Sequence, residues 1–105
     1  MATLKVMLCC GAGMSSGFLA SNARKYAKKN KLDVSVEARS HAEVNEYMNS
    51  IDVLLLGPHY AGELENFRNK AAAYNVVVDI IPEKMYASLD GAGIIDLANS
   101  LVKDR

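Results

Sequence analysis

The sequence predicts an α/β fold, a single domain in which a four-stranded parallel sheet of order 2-1-3-4 is flanked by helices on both faces. Short apolar runs alternate with segments whose apolar residues recur every three or four positions, the pattern of repeated βαβ units. The chain has 105 residues, of which 50% are hydrophobic. That is enough for one core, so residues 1–105 are expected to form one domain. Right-handed crossovers then place the first strand inside the sheet.

Four strands are predicted, at residues 4–9, 34–38, 51–56 and 76–81. Helices are predicted between them wherever apolar residues fall on one face. The first helix has the stripe Phe18, Leu19, Ala23, Tyr26 and Ala27 and stops near Asn30; a later one has Leu64, Phe67, Ala71 and Tyr74; the last has Ile94, Leu97, Ala98 and Leu101. A short helix is expected over residues 43–48. Pro82 and the cluster at residues 90–93 predict loops.

Composition excludes several classes of function. Twelve basic residues balance twelve acidic ones, so nucleic acid is not an expected partner. The longest apolar runs are far shorter than the roughly 20 residues of a membrane-spanning helix, which argues against direct membrane insertion. Adjacent cysteines cannot link distant segments, and no signal-peptide pattern is present. A cytoplasmic location is therefore expected.

The first strand ends on a cysteine pair that is followed by a loop of small residues. This loop comprises Gly11, Ala12, Gly13, Met14, Ser15 and Ser16. A thiol at a strand-to-helix junction faces backbone N–H groups and the positive end of the helix dipole, which favour both a thiolate and a bound phosphoryl group. Cys10 is therefore the predicted nucleophile, and the loop from Gly11 to Ser16 is the predicted phosphate-binding segment.

Each of these residues also has a purely structural interpretation. Cys10 alone could be a small buried hydrophobe, and the two glycines could serve only a tight turn. Strand alternation predicts that Cys9 packs against a helix. No metal is expected, because zinc ligands are normally spaced more widely than this pair. No nucleotide cofactor is expected either, because Ser16 occupies the third glycine position of a dinucleotide-binding motif and the Walker lysine is missing.

The third predicted strand runs into Gly57, Pro58, His59 and Tyr60, at the same edge of the sheet as the cysteine. His59 and Tyr60 are candidate partner contacts. Because histidine titrates near neutrality, His59 could relay a proton or meet a phosphorylated partner, or it could be an ordinary exposed loop residue. Met14 could contact a partner or fold back over its own loop.

Three segments carry a family resemblance. These are residues 8–16, residues 53–58 and residues 86–91, with the sequences LCCGAGMSS, VLLLGP and YASLDG. In order and spacing they resemble the enzyme IIB domain of the lactose/cellobiose-type branch of the bacterial phosphoenolpyruvate-dependent sugar phosphotransferase system. The resemblance extends over nearly the whole chain. Cys9, which duplicates the thiol, and His59, where a different polar residue is expected, depart from the family pattern.

The resemblance implies a phosphoryl carrier, a protein-phosphocysteine-sugar phosphotransferase without a cofactor. Cys10 would accept phosphate from a phosphohistidine of enzyme IIA. It would pass the phosphate to a sugar, such as the β-linked disaccharide cellobiose, held by the membrane component enzyme IIC. A monomer is expected.

The main alternative is a low-molecular-weight tyrosine phosphatase or an arsenate reductase-like enzyme. The phosphatases use a cysteine, five residues and then an arginine, and Ser16 stands at the arginine position here. No arginine or lysine occurs between Cys9 and Gly17. A receiver-like domain would need acidic residues where this chain has its cysteines, Gly57 and Pro58.

Overall fold

The computed structural model describes residues 3–9 and 14–103. For Met14, Ser15, Ser16, His41 and Ala42 it describes the backbone alone. The four strands are β1 (Leu4–Cys9), β2 (Val34–Arg39), β3 (Val53–Leu56) and β4 (Val77–Ile80). All pairings are parallel and the order is β2-β1-β3-β4. The predicted fold class and strand order are therefore confirmed.

Among the described residues, five α-helices connect and follow the strands: α1 (Met14–Lys29), α2 (His41–Tyr47), α3 (Leu64–Ala71), α4 (Glu83–Ala87) and α5 (Gly91–Lys103). Short 3₁₀ turns occupy Met48–Ser50, Pro58–Glu63 and Ala72–Tyr74. Within the part of the chain that the structure describes, no helix is both long and apolar enough to cross a membrane.

The sheet separates two apolar cores, because successive strand residues point to opposite faces. Val6 and Leu8 of β1 pack on the face covered by α1 and α5. Met7 and Cys9 pack on the opposite face, with residues of α2 and α3. β3 is buried along its whole length, as expected for a strand inside a parallel sheet.

The helical stripe predicted for α1 is wrong at one position. Phe18 is 58% exposed, whereas Leu19, Ala20, Ala23 and Ala27 are buried. Small residues dominate the buried face because α1 packs closely on α5, and a phenyl ring would not fit there. Tyr74 is likewise exposed, since α3 ends at Ala71 and a tighter 3₁₀ turn rotates the later side chains away from the core.

The loop predicted at residues 90–93 is the start of α5. The Asp90 carboxylate accepts a hydrogen bond from the Gly93 N–H (2.9 Å), which satisfies one of the unpaired donors at a helix start. Gly91 is buried against the backbone of α1, where a Cβ atom would lie 2.7 Å from the Ala23 Cα. Gly91 therefore serves a close contact between two helices rather than a loop.

Candidate functional site

The carboxyl end of β1 lies at the point where the sheet reverses its winding direction. The chain passes from β1 to β2 on one side, whereas β3 lies on the other side of β1 and leads on to β4. In open α/β sheets, a crevice for ligands forms at such a point. β1 delivers the chain to this crevice after Cys9, and α1 leaves it from Met14.

The predicted nucleophile Cys10 and the loop residues Gly11, Ala12 and Gly13 lie outside the described residues. Met14, Ser15 and Ser16 form the first turn of α1, and their side chains are also outside the description. The backbone therefore brings a helix amino terminus to the carboxyl edge of the sheet, directly after the cysteine pair. That end of a helix attracts anions, because its first N–H groups lack intrahelical partners.

Cys9 is completely buried, with 0% of its surface exposed. It belongs to the core that includes Val44 of α2 and Phe67 of α3. The prediction that Cys9 packs against helices is confirmed. Burial in apolar surroundings makes a thiol inert, so Cys9 is a structural residue.

The loop after β3 is fastened to the end of β1. The Gly57 N–H donates to the Cys9 carbonyl oxygen (3.0 Å), and the Tyr60 N–H donates to the Gly57 carbonyl oxygen (2.9 Å). A Cβ atom at Gly57 would lie 2.9 Å from the His59 Cε1, so a glycine there lets the imidazole fold back over the loop. The sequence prediction that this loop lies beside the cysteine strand is thereby supported.

His59 is exposed and two tyrosines hold its ring. The His59 centroid lies 4.8 Å from that of Tyr60 and 5.8 Å from that of Tyr86, the latter in an edge-on arrangement. Pro58, His59 and Tyr86, with Glu83 and Ala87, line an open groove of about 400 Å³. α4 therefore forms one wall of this groove. The sequence analysis did not anticipate the contact between Tyr86 and His59.

Phe18 is the second residue whose placement the sequence analysis missed. It lies near the amino end of α1, and so near the carboxyl edge of the sheet, with 58% of its surface exposed. The exposure of Phe18 could have been inferred from the spacing of small residues in α1. Ala20, Ala23 and Ala27 already form an apolar face without Phe18.

Arg39 at the end of β2 pairs in register with Cys9. Its guanidinium lies 3.2 Å from Glu37 of the same strand and turns toward α2, where it contacts Glu43 (4.0 Å) and lies over the Tyr47 ring. A hydrogen bond to Tyr47 and the charge of Glu37 raise the pKa of Arg39 above its ordinary value. The arginine beside the cysteine strand is thus directed toward the α2 face. Residues 3–9 and 14–103 contain no cluster of three metal-ligating side chains.

Comparison with known proteins places this arrangement in a family. Residues 5–97 match the family model described as the lactose/cellobiose-specific IIB subunit of the PTS system. A galactose-specific EIIB component from Lactococcus lactis subsp. cremoris (strain MG1363) and a cellobiose-specific one from Lactococcus lactis subsp. lactis (strain IL1403) are each 32% identical, over 97% of this chain and 99% of theirs.

The fold agrees with a solved structure. The lactose-specific IIB domain from Streptococcus pneumoniae superposes with a TM-score of 0.86 at 16% identity, over 95% of this chain and 98% of that one. A parallel sheet of order 2-1-3-4, a cysteine-ended first strand and the match over residues 5–97 agree: the chain belongs to the lactose/cellobiose-specific IIB family of the PTS system.

Proposed function

We propose that this protein is a cytoplasmic phosphoryl carrier, a protein-phosphocysteine-sugar phosphotransferase in which Cys10 accepts phosphate from a phosphohistidine of enzyme IIA. The observation that carries the proposal is the family match across a cysteine-ended strand at the switch point of the sheet. The acceptor is a sugar bound by the membrane component enzyme IIC. We propose a β-linked disaccharide such as cellobiose, since a cellobiose-specific component is among the relatives.

Two transfers make up the reaction. In the first, the Cys10 thiolate attacks phosphorus in line, the S–P bond forms and the N–P bond of the donor histidine breaks, with the electron pair leaving on the imidazole nitrogen. In the second, a sugar hydroxyl oxygen attacks phosphorus, the S–P bond breaks and the thiolate is regenerated as the hydroxyl proton is lost. Positioning and electrostatics supply most of the catalysis in such transfers.

The burial of Cys9 favours Cys10 as the nucleophile. Cys9 has no exposed surface and belongs to the α2/α3 core, whereas the next residue begins the connection to α1. A phosphate on Cys9 would have to displace apolar core. The thiol that a partner reaches is therefore assigned to Cys10.

The proposed phosphate-binding segment is Gly11 to Ser16. Its backbone N–H groups and the amino end of α1 would hold the dianion, and each nearby anion at a helix terminus gains about 0.3–1 kcal/mol. No lysine or arginine occurs in this segment, so we assign the remaining charge stabilisation to the partner proteins. Without that positive charge, phosphocysteine should hydrolyse slowly, which suits a carrier.

The proposed partner surface comprises Phe18, His59 and Tyr60, with Met14 one helical turn before Phe18 in the sequence. Phe18 and His59 are exposed at the carboxyl edge, and the Tyr60 and Tyr86 rings fix the His59 ring. An aromatic side chain that is ordered before binding loses little entropy on contact, so such residues commonly anchor interfaces. We assign enzyme IIA as the partner that this surface meets during the first transfer.

Mass spectrometry after incubation with phosphoenolpyruvate and the upstream relay proteins tests the proposal. One phosphate should appear, on Cys10. Cys10→Ser should abolish phosphorylation of the sugar, whereas Cys9→Ser should keep most of it. Cys9→Ser is the matched control, since it makes the same change one residue away. A Cys10→Ser protein that still passes phosphate to sugar would overturn the assignment, and rapid release of inorganic phosphate would favour the phosphatase alternative.

A further inference from the structure

The two edge strands of the sheet are closed by arginine side chains of the same chain. β2 and β4 form the edges, because the order is β2-β1-β3-β4. An edge strand presents unpaired N–H and C=O groups to which another strand can pair. The structure identifies which of these groups point outward and what covers them.

On β2 the residues whose backbone N–H and C=O groups point away from β1 are Val34, Val36 and Ala38. The Leu4 N–H donates to the Asp33 carbonyl oxygen (3.1 Å), so residue 33 faces β1, and backbone groups alternate in direction along a strand. The outward carbonyl of Val36 accepts from Arg24 Nη1 (2.8 Å). The outward carbonyl of Ala38 accepts from Arg39 Nη1 (3.1 Å). Guanidinium groups thus occupy two successive outward carbonyls.

The opposite edge has the same arrangement. The Val77 N–H donates to the Asp52 carbonyl oxygen (3.1 Å) and the Ile81 N–H donates to the Leu56 carbonyl oxygen (2.8 Å). The backbone N–H and C=O groups of Val78 and Ile80 therefore point away from β3. The Val78 carbonyl accepts from Arg68 Nε (3.2 Å). The Ile80 N–H donates to the Asp79 carboxylate (2.8 Å), which lies 3.9 Å from Arg68 Nη2.

Every arginine in residues 3–9 and 14–103 has this role. Arg24, Arg39 and Arg68 come from three different elements, and each donates to an outward carbonyl of an edge strand. A guanidinium suits the task because its planar fork can donate to a carbonyl beside it while the apolar stem of the side chain packs on the protein surface. A second copy of the chain that approached either edge would have to displace a charged donor before its own N–H groups could pair.

We propose that these arginines guard the sheet edges against strand addition by a second copy of the chain and so keep the protein monomeric. This property of the edges is independent of phosphoryl transfer. It leaves the carboxyl edge of the sheet, with Phe18 and His59, as the face open to partners. A carrier that must bind and release two partners in turn would be hindered by a self-associating edge.

The test replaces Arg24 and Arg39 together with methionine. This change keeps an apolar side chain and removes the guanidinium donors that cover the Val36 and Ala38 carbonyl groups of β2. The matched control replaces Lys25 and Lys29 with methionine, since both are exposed on α1 and the control removes the same charge. Sedimentation velocity over a concentration series should show a monomer for the parent chain and the control. The arginine variant should show an association constant at least about tenfold larger.

Amide hydrogen exchange gives the geometric readout. The N–H groups of Val36 and Ala38 face outward, so they should exchange faster in the parent chain than in the associated variant, where a second β2 strand protects them. A folded arginine variant that stays monomeric overturns the proposal. Association without protection at these two amides overturns it as well.

Arg68→Met is the second variant, on the other edge, and circular dichroism establishes that each variant is folded. A folded Arg68→Met protein should also self-associate more strongly than the parent chain, and a monomer at the same concentrations counts against the proposal. These arginines are assigned to the edges rather than to the cores. Variants that unfold on losing them would therefore overturn the assignment too.

Discussion

At the scale of single residues, the environment of Cys9 bears on which of the two adjacent cysteines carries the proposed chemistry. Cys9 is sealed in the core between the sheet and α2/α3, and the proposed chemistry is assigned to its neighbour. Residue type alone could not make this distinction, because both are thiols. Strand alternation could, since it predicts opposite directions for successive residues of β1.

Phe18 gives a residue-scale prediction for the partner surface. Phe18→Ala should change the free energy of unfolding by no more than about 0.5 kcal/mol, because the ring is exposed. It should raise the apparent KM for phosphorylated enzyme IIA about tenfold, as expected for an aromatic anchor worth more than about 1 kcal/mol. Initial rates of phosphate transfer at several donor concentrations measure this effect.

Tyr74→Ala is the control for Phe18→Ala. Tyr74 has a similar exposed fraction, 53%, but precedes β4 and so lies toward the amino edge of the sheet. Its loss should leave the KM unchanged. Equal effects of the two substitutions, or no effect of Phe18→Ala, would remove Phe18 from the proposed surface, and His59→Ala would then test the loop separately.

At the scale of elements, the contact between α1 and α5 holds in place the helix that follows the cysteine pair. Gly91 lets the start of α5 lie directly on the backbone of α1 at Asn22 and Ala23. The Asn22 side-chain amide also donates to the Leu89 carbonyl oxygen (2.9 Å), just before α5. The helix that carries the proposed phosphate-binding segment is thereby held from its middle.

Gly91→Ala should therefore lower the free energy of unfolding by about 3 kcal/mol, the upper part of the usual range for overpacking, because the added methyl meets backbone that cannot rotate away. Urea denaturation followed by circular dichroism measures the change. Gly17→Ala is the matched control within α1. Its new Cβ atom meets nothing within 4 Å, so a stabilisation of about 0.5–1 kcal/mol is expected from helix propensity. Equal and small effects of the two substitutions would contradict the close contact.

At the scale of the whole molecule, one sheet is shared by two apolar cores. Leu55 points to the α1/α5 side and Leu54 to the α2/α3 side, and both are fully buried. Because both cores depend on the same four strands, we expect them to unfold together.

Leu54→Ala and Leu55→Ala should each cost about 2–5 kcal/mol, a large part of the stability of a domain this size. The loss should appear as one transition, seen at the same urea concentration by far-UV circular dichroism and by tyrosine fluorescence, the latter because the chain has no tryptophan. Two separated transitions in either variant would show that the cores are independent.

Periodicity and loop chemistry allowed most of the fold to be predicted. β1 was predicted with the same bounds, and the sheet order followed from parallel crossovers. Predicted strands three and four were longer than β3 and β4, since the apolar residues Ile51, Val76 and Ile81 lie just outside the paired residues. Phe18 was misplaced because periodicity counts apolar residues and carries no information about the width of the gap between two helices.

The sequence by itself determined the α/β class, the cysteine-ended strand at the switch point and the family resemblance, because these depend on local pattern and on residue order. Only the tertiary structure decided that Phe18 is exposed, that Gly91 begins a helix pressed against α1, and that Arg24 and Arg68 reach the edge strands. The physical reason is that these outcomes depend on contacts between segments far apart in the chain. The width of the gap between α1 and α5, and the unpaired carbonyl groups of the edge strands, arise only when the elements pack together.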